Sequence, residues 1–160
     1  MIALFIECFV LCGLFFLFCY LGTGSDEKNI ASFSSYPKVL QVKLEADDNF
    51  KGKIKKTKRY VSLISNFITF TIVLFICGLF LRTDNFLKNF ASIFILGQIL
   101  NLFDLVIDLL WWRNTKRIRF KSYPEKELYQ DPRNHYISFL KAILMFTLIA
   151  LVVGGLITLF

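Results

Sequence analysis

Residues 60–81 read YVSLISNFITFTIVLFICGLFL, with no charged side chain anywhere in the run. At ~1.5 Å rise per residue, a helix of this length crosses a hydrocarbon layer roughly 30 Å thick. Three more stretches share that character. Residues 1–21 are broken only by Glu7, residues 90–112 contain Asp104 and Asp108, and residues 136–160 carry Lys141 near their start. Together the four stretches take more than half of the 160 residues. The pattern specifies an all-α integral membrane protein: four transmembrane helices in a single bundle, with residues 1–160 forming one membrane domain. A short outer turn, Arg82-Thr83-Asp84-Asn85, joins the second and third helices, and basic connections at 24–59 and 113–135 complete the chain.

Composition agrees. Apolar residues make up 56% and charged residues 19%, against about a quarter charged in an ordinary soluble domain. Soluble enzyme folds, disordered tails and disulfide-stapled secreted domains are excluded. The first stretch reads as a retained helix and not a signal peptide, because no Lys or Arg precedes Lys28 and its apolar run is too long.

The position of the charges sets an orientation. Of nineteen Lys and Arg residues, nine lie in 24–59, seven in 113–135, two in 82–89, and Lys141 falls inside the fourth stretch. Sixteen therefore share one side, which the positive-inside rule makes cytoplasmic. Both termini are then extracytoplasmic, and the expected location is the plasma membrane. The net charge of +7 is first a topology signal and second an attraction for anionic lipid headgroups, at about 1 kcal/mol per well-placed residue. No nucleic-acid partner is expected.

Within the first connection, Val39, Leu40, Val42 and Leu44 alternate with Lys38, Gln41, Lys43 and Glu45. Both helix and strand periods fit partly, and a short helix lying on the headgroups is favoured. Lys51–Arg59 (KGKIKKTKR) holds the start of the second helix at the surface. The triplet Ser35-Tyr36-Pro37 recurs as Ser122-Tyr123-Pro124 and is taken as coincidence, since nothing else aligns at that offset. Asp131-Pro132 reads as a helix cap followed by proline in the first turn, so that the fourth helix starts before the membrane and carries Arg133 and His135 on the extra turn.

The third stretch departs from plain lipid filling. At 100° per residue, Gln98, Asn101, Asp104, Asp108 and the Trp111-Trp112 pair share one face. Two central acids oppose insertion by about 2.5–3.5 kcal/mol each, while fourteen strongly apolar residues return about 0.3–0.6 each, so the helix inserts with its polar face turned inward. An acid kept at such a place is a functional-site candidate. Counted from Trp112, Asp108 lies ~6 Å in and Asp104 ~12 Å in. Lys141, on the fourth helix, falls level with Asp108 and is the expected partner of one acid, leaving one carboxylate over. Asn66 on the second helix, in company with Ser62, Ser65 and Thr69, and His135, Arg113 and Arg133 at the rim complete a polar vestibule open to the cytoplasm.

The function expected first is a small transporter-like protein binding a proton or cation at Asp104 and Asp108, or an accessory membrane subunit. A membrane-embedded enzyme acting on a lipid or diphosphate comes second. Its divalent cation would sit on Asp104 and Asp108, at i and i+4 of one helical face. Asn101-x-x-Asp104-x-x-x-Asp108 resembles, over eight residues, the Asp-rich motifs of membrane prenyltransferases and CDP-alcohol phosphotransferases. That resemblance implies Mg²⁺ shared with phosphate oxygens, although the further acids of those families are missing here. A purely structural or interaction protein is the third alternative, with an ion-paired core that only fixes helix register.

Cys8, Cys12, Cys19 and Cys77 read as small apolar residues, since no connection holds a Cys pair. Glu7 is expected to be protonated or to reach the outer surface. Trp111, Trp112, Tyr60, Tyr123, Tyr129 and Tyr136 form an aromatic belt. Gly154-Gly155 permits close helix contact, within the chain or in a homo-oligomer or larger membrane complex.

Overall fold

The computed structural model describes residues 2–55 and 58–159, with the Arg59 side chain left aside. Lys56 and Thr57 of the basic run, and the two end residues of the outer stretches, therefore lie outside the description. Helices are the only extended elements among the described residues: α1 (Ile2–Leu21), α2 (Asp26–Ala31), α3 (Lys38–Ala46), α4 (Arg59–Leu81), α5 (Phe86–Ile107) and α6 (Arg133–Leu159). Short 3-10 turns occupy Phe33–Ser35 and Lys126–Tyr129, and a π-helical turn at Asp108–Trp112 continues α5. Phe120 and Tyr123 make an isolated β-bridge.

Four segments are long and apolar enough to cross a membrane: Ile2–Leu21, Tyr60–Leu81, Phe86–Trp112 and Lys126–Leu159. The third starts four residues earlier than the hydropathy pattern alone suggests. Asn85 explains why, since its side chain accepts the Lys88 N–H at 3.1 Å and caps the helix. The fourth helix starts at Arg133, where Asp131 accepts that residue's N–H at 3.0 Å, one position after the expected proline.

The chain divides into two compact units, with boundaries inside α1, α5 and α6. The first comprises residues 1–14, 57–103 and 139–160. Its core is built from Leu74, Ile93, Leu96, Leu100, Phe146, Ile149, Ala150, Val153 and Ile157. The α5 and α6 segments bury 28% and 33% of their apolar windows, against 6% and 11% for the α1 and α4 segments. Two devices lock α5 to α6 within the first unit. Asn89 is buried; its amide donates to the Thr83 carbonyl at 2.7 Å and the Thr158 hydroxyl at 2.8 Å. It also accepts from the Thr83 N–H at 2.9 Å, which fastens the turn between α4 and α5 to α6.

The second device is Gly154, where a built Cβ falls 2.9 Å from the Phe90 backbone N and Cα. The expected close contact is thus at Gly154 alone, because a Cβ at Gly155 meets nothing within 4 Å. Gly154→Ala should therefore cost about 1–3 kcal/mol through enforced separation of α5 and α6. Gly155→Ala should stay within about 0.5 kcal/mol, as judged by thermal unfolding in detergent.

The second unit comprises residues 15–56 and 104–138. Nothing in the hydropathy pattern signals its core of Ile30, Phe33, Tyr36, Leu40, Leu44, Phe50, Trp112, Ile118, Phe120 and Tyr129. Ser25 caps α2, accepting the Lys28 N–H at 3.4 Å, with Asp26 and Glu27 in the first turn where the helix dipole favours them. The helix expected at α3 is present, but Leu40 and Leu44 are fully buried in this core and do not face headgroups. Trp112 and Tyr129, expected in an aromatic belt, are core residues as well.

Both tyrosines of the repeated triplet fasten the two connections to each other. Tyr36 donates to the Ile118 carbonyl at 3.0 Å, and Tyr123 donates to the Asp47 carboxylate at 3.2 Å. Asn29 adds a bond to the Arg117 carbonyl at 3.0 Å. The Arg117 guanidinium lies 3.8 Å over the Tyr20 ring and donates to the Tyr20 and Thr23 carbonyls. Gly24, at φ +110, adopts a left-handed conformation and lies against that guanidinium, where a side chain would collide.

Candidate functional site

The second unit gathers five of the residues singled out above: Asp104, Asp108, Arg113, Arg133 and His135. Asp104 closes the last turns of α5, and Asp108 opens the π-helical turn that follows. In that turn the Arg113 N–H reaches back five residues to the Asp108 carbonyl at 3.2 Å. Such widened turns inside helices recur at functional sites because they re-aim side chains.

His135 stands on the first turn of α6, and its Nδ1 lies 2.5 Å from the Asp108 Oδ2. The imidazole is 6% exposed and the Asp108 side chain 21%. Trp112 packs edge-on to the ring at 5.2 Å between centroids, and Tyr36 packs on Trp112 at 5.0 Å. One wall, Trp112 backed by Tyr36, therefore fixes the imidazole plane, and the carboxylate fixes one nitrogen. The other nitrogen, Nε2, is buried and has no hydrogen-bond partner among the described residues. A buried polar atom left unpaired costs about 1–3 kcal/mol, so its retention needs a reason. Asp104 is half-buried one helical turn from Asp108, with no hydrogen bond or ion pair among the described residues.

The expected Asp–Lys141 ion pair is replaced by this Asp108–His135 pair. Lys141 is exposed on α6 and forms no ion pair among the described residues. Asn101 is buried, and its amide donates to the Phe139 carbonyl at 3.2 Å. Gln98 does the same to the Ile143 carbonyl at 3.1 Å, so this part of the polar face of α5 binds the α6 backbone. Asn66, with Ser62, Ser65 and Thr69, is exposed on α4, and none of these side chains makes a hydrogen bond among the described residues. Ser65 and Thr69 instead line a surface groove with Val61, Ile64 and Ile68. Arg113 donates to the Gln130 carbonyl, and Gln130 returns a bond to the Arg113 carbonyl at 2.9 Å. Arg133 is largely exposed, 3.8 Å from Asp131.

Among the described residues, no group of three or more His, Cys, Asp and Glu side chains is arranged to hold a metal ion. The four cysteines are free thiols. Glu7, in the first unit, keeps one buried carboxyl oxygen without a hydrogen-bond partner among the described residues. Comparison with protein-family models, with curated proteins and with solved structures finds no match for this chain.

What sequence reasoning missed here is the partner of Asp108. His135 is the chain's single histidine and falls at the rim by sequence position, while depth alone matches Lys141 to the acids. The one available signal was the Asp131-Pro132 cap, which starts α6 early enough to present His135 from its first turn.

Proposed function

We propose that this is an integral protein of the plasma membrane, crossing it four times with both termini outside. Its Asp104, Asp108 and His135 group takes up protons on the cytoplasmic side, as the site of a small transporter-like protein that moves protons down their electrochemical gradient. The crossing rests on four segments of spanning length. The orientation rests on sixteen of nineteen basic residues falling in the two connections on one side. The observation that carries the chemistry is the His135 ring, held by Asp108 at Nδ1 and left open at Nε2.

Histidine is the side chain that ordinarily changes charge between pH 5 and 8, and a carboxylate on one nitrogen orients the other for exchange. Trp112, itself held by Tyr36, keeps the ring in one plane, so the unbonded nitrogen addresses a fixed direction. Asp104, four residues before Asp108 on the same helical face, is the next acceptor along α5. Paired acids and histidines inside spanning segments are the usual elements of proton relays.

The test is proton flux into vesicles containing the purified full-length protein and a trapped pH dye, driven by a potassium diffusion potential. The wild-type protein should acidify the lumen faster than empty vesicles do. Asp108→Asn and His135→Gln should each slow that flux by about 100-fold, the scale of losing a positioned proton-transfer group. Flux that both variants leave unchanged, or wild-type flux equal to that of empty vesicles, would overturn the proposal.

A further inference from the structure

We infer that the outward face of α3 docks on an anionic lipid surface. The inference rests on the membrane reading of the chain but not on the proton site. Helix α3 is apolar on two sides. Leu40 and Leu44 fill the core of the second unit and are fully buried. Val39, Val42 and Ala46 follow an i, i+3, i+7 spacing on the opposite side, with Val39 62% and Val42 67% exposed. At 100° per residue, Lys38 and Lys43 border this stripe on either flank. A core-facing helix needs only one apolar stripe, so the second is unexplained by folding.

Charge complementarity identifies the occupant. Lys51, Lys53 and Lys55 follow α3 in the same unit, all exposed. Lys51 is paired with Asp48, and Asp47 accepts the Tyr123 hydroxyl. Lys38, Lys53 and Lys55 make no ion pair among the described residues, so their charge remains available to an outside anion. Lysine is depleted in the cores of protein interfaces. Long ammonium side chains beside a narrow apolar stripe instead suit an acyl–headgroup boundary, where the stem is covered and the charge meets lipid phosphate.

The experiment uses the full-length protein with Cys8, Cys12, Cys19 and Cys77 replaced by Ser and one new cysteine carrying an environment-sensitive dye. The dye is placed at Val42→Cys, or at Ile72→Cys within α4 as a reference. Each protein is reconstituted into neutral phosphatidylcholine vesicles or into vesicles rich in phosphatidylglycerol, with lipids spin-labelled either near the headgroup or deep in the chain. The Val42→Cys dye should be quenched by the shallow label in anionic vesicles and much less in neutral ones. Each of Lys38→Gln, Lys53→Gln and Lys55→Gln should lower the docked-to-free ratio about five-fold, and the three together about 100-fold.

A Val42→Cys dye that stays water-exposed in anionic vesicles overturns the inference. So does equal quenching in both lipids, and so does a dye shielded from water yet untouched by the lipid label, which would mean that a protein covers the face. Quenching of the Ile72→Cys dye by the deep label tests spanning separately, and its failure would overturn the membrane reading itself.

Discussion

Truncating Asp108 to Ala should destabilise the protein by about 3 kcal/mol, the lower end of the range for removing one member of a buried ion pair. The lower end applies because Asp108 keeps 21% of its side-chain surface exposed while His135 keeps only 6%. The loss arises at His135, whose ring would then be enclosed against Trp112 with neither nitrogen satisfied. Replacing Asp108 and His135 together by Leu should recover most of that stability, since two apolar side chains leave no orphaned polar group. Denaturant titration in mixed micelles measures both changes. Their value lies in the contrast with flux: the double variant should be stable and inactive. A stable double variant that still carries protons would assign the pair an architectural role only.

Tyr36→Ala should be at least as damaging, at about 3–5 kcal/mol. Tyr36 is fully buried in the core of the second unit. Its ring packs against Trp112, Phe120 and Tyr129 at 5.0, 5.3 and 5.9 Å between centroids, so truncation opens a cavity among three aromatic side chains. Tyr36→Phe keeps the ring and leaves the Ile118 carbonyl without its donor, for about 1–3 kcal/mol. The same residue predicts a pH dependence. Burial, followed by the charges of Tyr129 and Asp26, pushes the Tyr36 phenol above the ordinary tyrosine range. The unfolded chain releases this proton near pH 10 while the folded chain retains it. Its contribution is therefore fully present below about pH 10 and is lost as the pH climbs beyond it. Unfolding followed by tryptophan fluorescence should show that alkaline loss in the wild type and less of it in Tyr36→Phe.

Hydropathy and charge made the four long helices legible, because apolar runs of spanning length have few other uses. Cap chemistry then placed the start of α6 to within a residue. The core of the second unit was not legible for a definite reason. Tyr36, Leu40 and Leu44 come from one connection, Phe120 and Tyr129 from another about 80 residues on, and Trp112 from the end of the third apolar stretch; each connection alone is too short and too charged to suggest a core. Aromatic residues beside a spanning helix also read naturally as a membrane belt, which concealed Trp112 and Tyr129.

At the site, the acids were legible because charge inside an apolar run stands out. The pairing was not, since depth counting assumes straight α-helices and cannot foresee a π-helical turn that re-aims Asp108. Lys141 matched the acids by depth, yet on α6 it lies exposed. Asn101 shared the acids' face, yet its amide is bonded to the α6 backbone.

The chain contains one histidine, so histidine-selective ¹⁵N labelling makes His135 the only imidazole in a nuclear magnetic resonance spectrum of the full-length protein in lipid. The nitrogen shifts should show Nδ1 engaged by Asp108 and Nε2 exchanging a proton with water, with helix content unchanged. Asp108→Asn should shift the Nδ1 signal and slow that exchange. A ring that exchanges no proton with water at Nε2 would contradict a proton-handling site and leave Asp108–His135 as a structural pair.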